Sequence, residues 1–483
     1  MSIKGIMAQD ALEIARMVKS GAISAAEILE ETITRVEAVN PALNFMAVKA
    51  YEVGRDIVSQ PLKHGAFEGV PFLQKDIGGL WPGVRVTNGS MLWKDYVLGY
   101  TSFTAQKVMD AGFVMFGGTT TPDWGFGGNT TTKLHGVTRN PWDPGRIPGG
   151  SSGGAAVAVA TRAVPFAHAS DGAGSARIPA AFCGVVGLKV SRGRIPFGPQ
   201  AADGMYGFVS DGSISISVRD SAAFLDVVAN SVPGEIYPHT PRTETFLASI
   251  ERPMQKLRIG YVTTTPSGSP LGKEASIAVQ TAAKLCADLG HNVEEAKFIL
   301  DIDELIKRVH AMGDVQHAAL VFFGEAVAGR KAGPDDLTDF MREAADLGLR
   351  KSALEHADDV EQLRMFARLI AAQTTPYDVL ISPTVPIEVP DIDWCKMWGT
   401  AEAPFDMADY MRVNGEVITF TVPFNCSGQP AISLPLHWTN SGMPFGVQFV
   451  GAYGREDVLL NLAAQLELAA PWKDKVPPIN ALG

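Results

Sequence analysis

Cysteine is scarce: four residues in 483, and Cys183, Cys286, Cys395 and Cys426 stand far apart with no C-x-x-C pair. A disulfide framework or a zinc cluster is therefore not expected, and a reducing cytoplasm suits the count. The nine histidines are scattered too, with no H-E-x-x-H or His-x-His pattern, so no metal is expected. The chain lacks any dense Lys/Arg run and carries a net charge of −11. That disfavours a nucleic-acid partner or an anionic membrane surface. No stretch is long and apolar enough to cross a bilayer; the best candidate, GGAAVAVATRAVPFA, is broken by Arg162 and Pro165. The opening MSIKGIMAQDALEIARMVKSG lacks the apolar centre of a secretory signal. Disorder is excluded by 46% hydrophobic against 19% charged residues.

What remains reads as alternating helices and strands. Residues 8–39 are helical; Ser24 and Glu27 form an S-x-x-E capping box, and Pro41 closes the second helix. A short strand ends near Lys75, a helix over 104–112 leads into FVMFG, and a loop-rich zone follows to about residue 198. Further helices are expected at 217–229, 273–289 and 455–469, and strands at 257–262, 377–384 and in AISLP and FGVQFVGA. Residues 300–372 are helical and charged, an insertion or cap. The alternation argues α/β, a mixed sheet covered on both faces. No repeat or linker divides the chain, so 1–483 reads as one domain.

Glycine is in excess: 17 of 49 fall between residues 117 and 198. Such density marks loops whose main chain has work, and N–H groups aimed at an anion or oxyanion are the usual kind. Two serine-bearing segments lie there: PGGSSGG (148–154) and DGAGSARIP (171–179). Neither has the P-loop lysine or the dinucleotide glycine spacing, so no phosphate or nucleotide cofactor is expected. G-x-S-x-G occurs around Ser151 and Ser152, and AAVAVATRA after it suits a helix, but three prolines upstream spoil the strand that a nucleophile elbow needs. A serine nucleophile needs a base. His168 lies too close in sequence for a usual triad and reads as a strand-end or core histidine. Lys75, in VPFLQKDIG, serves only if it is neutral; its ordinary reading is a surface or snorkelling lysine.

Together Lys75 in V-P-x-x-x-K-D, GGSSGG at 149–154 and SDGAGSARIPAAFCGVVGLKVSRGRIP at 170–196 closely resemble the amidase signature family. The likeness extends over nearly the whole chain and is weakest at 235–255 and 295–415. It implies a single α/β/α domain around a large mixed twisted sheet flanked by helices, with a signature core over about 65–230. It implies hydrolysis of small-molecule amides by a Ser–cis-Ser–Lys triad. Ser175 resembles the nucleophile, Ser151 the bridging serine on a non-proline cis peptide, and Lys75 the base. The backbone N–H groups of Gly172, Ala173, Gly174 and Ser175 would hold the oxyanion. Ala173 departs from the family's usual glycine and leaves the loop conformation open. This variant and the tail resemble nylon-oligomer amidases, so linear, cyclic or aryl amides, esters and carbamates are the candidate substrates. The alternative is a glutamine amidotransferase subunit of a tRNA-dependent transamidation complex. Trp124, Asn129, Ser152 and Arg177 are substrate-binding candidates. Arg177 also reads as a structural ion-pair partner, and Ser152 as a helix cap or a partner of the Lys75 region. Phe126, Met205, Tyr206, Phe208, Trp394, Met397, Trp398 and Phe405 are further candidates for the pocket or its mouth. A homodimer is the expected assembly.

Overall fold

Neighbouring residues of the short apolar strands go to opposite faces of one sheet. The computed structural model describes residues 3–78, 81–237, 242–253 and 255–482. Its strands are β1 (Met46–Lys49), β2 (Pro71–Lys75), β3 (Val114–Thr119), β4 (Phe166–Asp171), β5 (Val186–Lys189), β6 (Ser210–Ser215), β7 (Arg258–Tyr261), β8 (Asn292–Glu295), β9 (Val379–Pro383), β10 (Ala431–Trp438) and β11 (Pro444–Gly451). These eleven form one mixed sheet in the order β1-β3-β2-β4-β6-β5-β10-β11-β9-β7-β8. Pairs β2/β3 and β2/β4 are parallel; β4/β6, β6/β5 and β5/β10 are antiparallel. Phe72, Met115 and Phe166 enter one apolar core, and Leu73, Phe116 and Ala167 enter a second. This is the two-residue period of a sheet covered on both sides.

The helices that build these cores and the site are α1 (Ala25–Leu43), α2 (Gly153–Ala160), α3 (Arg177–Cys183), α4 (Val218–Val228), α5 (Lys273–Asp288), α6 (Ile302–Ala328), α7 (Asp339–Arg350), α8 (Ala353–Thr374), α9 (Met407–Ile418) and α10 (Glu456–Ala469). Helices α4, α5 and α10 cover one face; α1 and α2 cover the other. A third core joins α6 and α8 to β9 and residues 417–426.

Three expectations need correction. Helix α1 runs through Pro41 to Leu43. Pro41 sits in the last turn, where it removes one hydrogen bond only, and Asn44 closes the helix in the left-handed conformation. The zone expected as loop-rich holds β4, α3 and β5 as well as α2, the helix that AAVAVATRA suggests. All of α2 is buried, and its small residues alternate with nothing polar, so no amphipathic period exists to be read. Finally, residues 210–215, where no strand was expected, are strand β6; its Ser213 and Ser215 satisfy their hydroxyls against Ser221 of α4.

Candidate active site

Strand β2 ends on Lys75, whose main-chain N–H is donated to His168 Nδ1 on the neighbouring β4 (3.3 Å). The Lys75 side chain is 1% exposed. Its Nζ donates to Ser151 Oγ (2.7 Å) and Ser170 Oγ (3.0 Å). Burial disfavours the ammonium and pushes the Lys75 pKa down to about 7, against the opposing pull of Asp171 and Asp211. His168 thus acts as an anchor of β2, with Nε2 3.3 Å from Asp211.

Ser151 follows a cis peptide from Gly150. Ser152 donates its N–H to the Ser175 carbonyl (3.0 Å) and its Oγ–H to the Ser170 carbonyl (3.2 Å), tying the two glycine-rich segments together. Of its two readings the geometry gives the Lys75-region partner, since the side chain makes no cap bond to α2. No hydrogen bond joins Ser151 Oγ to Ser175 Oγ, and Ser175 Oγ has no partner among the described residues.

The loop bearing Ser175 is wound around Asp171. Its carboxylate accepts N–H bonds from Gly174 (2.9 Å), Ala176 (3.2 Å) and Arg177 (3.4 Å). Burial alone would raise the Asp171 pKa, but the Arg177 guanidinium, two-pronged at 2.8 and 2.9 Å, holds it well below the carboxylate range. The Gly174 N–H is therefore committed to Asp171, which removes it from the expected oxyanion donors. The amides of Gly172, Ala173 and Ser175 donate to no acceptor among the described residues. Gly174 has φ +129°, and a Cβ there would stand 2.4 Å from Thr421 Oγ1. Ala173 keeps a negative φ and fits the loop with its methyl group, its carbonyl accepting from Thr421 Oγ1 (2.5 Å).

Ser175, Ser151 and Lys75 open on a cavity of about 800 Å³ including its mouth. Its wall is mostly apolar, with Ile77, Trp124, Phe126, Ile178, Met205, Val209 and Ile418. Trp124 lies in this wall, while Asn129, Ser152 and Arg177 do not. Asn129 gives its Nδ2–H to the Trp394 carbonyl behind the loop (3.1 Å). Arg177 is wholly buried, held by Asp171, Gln448, Asn425 and the Thr421 carbonyl, so it cannot face a substrate carboxylate. Of the other aromatic and methionine candidates, Phe126 and Met205 reach the wall. Missed in the sequence were Ser170, whose only signal was its place just before Asp171, and His310, His317 and Asn414 on α6 and α9. Those three lie where the family resemblance is weakest.

A serine-bearing loop with free amides, a buried lysine of lowered pKa and a second serine beside that lysine have the makings of a hydrolase site. The amidase family model matches residues 27–460, and the chain belongs to that family; it is an amide hydrolase. It is 38% identical to the 6-aminohexanoate-cyclic-dimer hydrolase of Paenarthrobacter ureafaciens over 478 residues, 98% of this chain and 97% of the relative. The enzyme of the same name from Pseudomonas sp. (strain NK87) matches to the same extent. A solved structure of 6-aminohexanoate cyclic dimer hydrolase superposes with a TM-score of 0.93 at 37% identity, covering 98% of this chain and 99% of that one. The transamidation alternative is not favoured by these likenesses. Among the described residues no helix is long and apolar enough to cross a membrane.

Proposed function

We propose that the chain hydrolyses small amides related to the 6-aminohexanoate cyclic dimer through an acyl-enzyme on Ser175. Neutral Lys75 takes a proton from Ser151 as Ser151 takes one from Ser175, and Ser175 Oγ attacks the carbonyl carbon. The resulting oxyanion is held by the amides of Gly172, Ala173 and Ser175, each such donor being worth about 3–4 kcal/mol. As the C–N bond breaks, the relay returns the proton to the leaving nitrogen. Water then attacks the ester by the same route, and Ser175 is regenerated. The observation that carries this reading is the 2.7 Å bond from buried Lys75 Nζ to Ser151 Oγ in the wall of the cavity that Ser175 enters. The missing Ser151–Ser175 bond is in keeping with it, since catalytic hydrogen bonds are often long before substrate binds. Helices α6–α8 serve as a cap, and the unpaired cysteines fit a cytoplasmic enzyme.

Purified chain should be assayed against the cyclic dimer, its linear counterpart, an aryl amide and glutamine. Hydrolysis of one or more of the first three, with an acyl-Ser175 adduct trapped in the mass spectrum, is the expected result. Glutaminase activity that requires added subunits, with none of the others cleaved, would overturn it.

A further inference from the structure

The wall of the cavity is not uniformly apolar. Helix α6 brings His310 and His317 to it, seven residues apart and so about two turns along one face. Helix α9 brings Asn414. His317 is 2% exposed, and neither of its ring nitrogens has a hydrogen-bond partner. The backbone of Gly313, one turn back, acts on the ring as a weak hydrogen-bond acceptor that favours a proton there, but it does not reach full hydrogen-bond geometry. His310 Nε2 is buried and unpartnered as well. Asn414 Oδ1 accepts the Gly128 N–H (2.8 Å), and its Nδ2 has no acceptor among the described residues. A buried polar group without a partner is costly, and such groups on a cavity wall are matched by what enters it.

The rings are uncharged. Phe126 lies against His317 at a centroid distance of 3.9 Å, Phe340 meets it edge-on at 5.1 Å, and among the described residues no carboxylate is within ion-pair distance of either histidine. Burial pushes His317 down to about 3 and His310 down to about 4. Neither ring therefore offers a carboxylate a cation or an ammonium an anion.

We infer that His317, with His310 and Asn414, recognises an uncharged hydrogen-bonding group of the substrate remote from the scissile carbonyl, a second amide, and so selects diamides over monoamides and over charged amides. This rests on the hydrolase reading above. An amide suits the wall because it offers both N–H and C=O, and a neutral imidazole is donor at one nitrogen and acceptor at the other. It is also a form of recognition that rejects a substrate lacking the group, because the wall is then left unpaired.

The test compares kcat/KM for a diamide, the same molecule with the remote amide replaced by an ethylene unit, and one with a carboxylate there. The parent enzyme should prefer the diamide to both, by about tenfold or more. His317→Phe should cut the diamide-to-ethylene ratio about ten- to a hundredfold. His317→Gln, which keeps a donor and an acceptor, should restore much of it. Fluorophosphonate labelling of Ser175 reports whether each variant is folded, and if His317→Phe does not label, Asn414→Leu takes its place with the same expectation. No preference in the parent, or a full preference in the folded apolar variant, would overturn the inference while leaving the hydrolase reading intact. Labelling without turnover of any amide would overturn both.

Discussion

Asp171 and Arg177, six residues apart, form a two-pronged ion pair with no exposure on either side chain, and the loop between them carries Ser175. The pair is structural. Removing one partner of such a pair strands the other charge in the interior and costs about 3–5 kcal/mol. Arg177→Met should therefore lower the unfolding temperature and the fraction of enzyme that a fluorophosphonate labels. KM of the labelled fraction should move little, because Arg177 is not in the cavity wall. A raised KM at unchanged unfolding temperature would contradict this assignment.

Ser175→Ala should abolish turnover, by at least about a thousandfold, together with covalent labelling. Retained labelling in that variant would remove Ser175 as the nucleophile.

The base must be neutral to accept a proton, and burial places the Lys75 pKa at about 7. The sign follows directly. One unit below that pKa about a tenth of the lysine is neutral, and one unit above it about nine tenths. The rate of the chemical step should climb through pH 7 and level off above about 8. Lys75→Met should remove that titration along with most of the activity. A flat profile from pH 6 to 9 with chemistry rate-limiting would contradict a lysine base.

Gly154 in α2 has no room for a side chain: a Cβ would stand 2.5 Å from both Thr120 N and Thr120 Oγ1, and 2.8 Å from the Phe45 carbonyl. Two of those three atoms belong to backbone that cannot step aside. Gly154→Ala should cost about 1–3 kcal/mol, read as a lowered unfolding temperature with labelling retained at low temperature. No change in unfolding temperature would show that α2 has more freedom than this packing allows.

The apolar strands and the amphipathic helices were legible because their periods survive in the sequence: Val379–Pro383, Pro444–Gly451 and Lys273–Asp288 lie close to the ranges expected. The middle was not. Helix α2 is built of Gly, Ala and Val and buried on every side, and β6 reads SDGSIS because its hydroxyls are satisfied inside the protein. Polar and small residues there look like a loop until their partners are known. The site divides in the same way. Lys75, Ser151 and Ser175 stand in segments that carry a resemblance, whereas His310 and His317 look like any histidines of a long charged helix. Only the packing of α6 over the cavity gives them a common direction. The glycines around residues 149–154 serve close packing as much as backbone freedom, and the sequence does not distinguish the two.

The grip on Arg177 has a consequence for biosynthesis. Lys75, Ser151 and Ser175 are all present once the first 175 residues have left the ribosome. The groups that hold Arg177 from the far side, Thr421, Asn425 and Gln448, lie 244 to 271 residues beyond it in the chain. A nascent chain thus carries every reactive side chain long before it can set the loop that aims them. The full set of contacts around Arg177 closes only after Gln448 has been made.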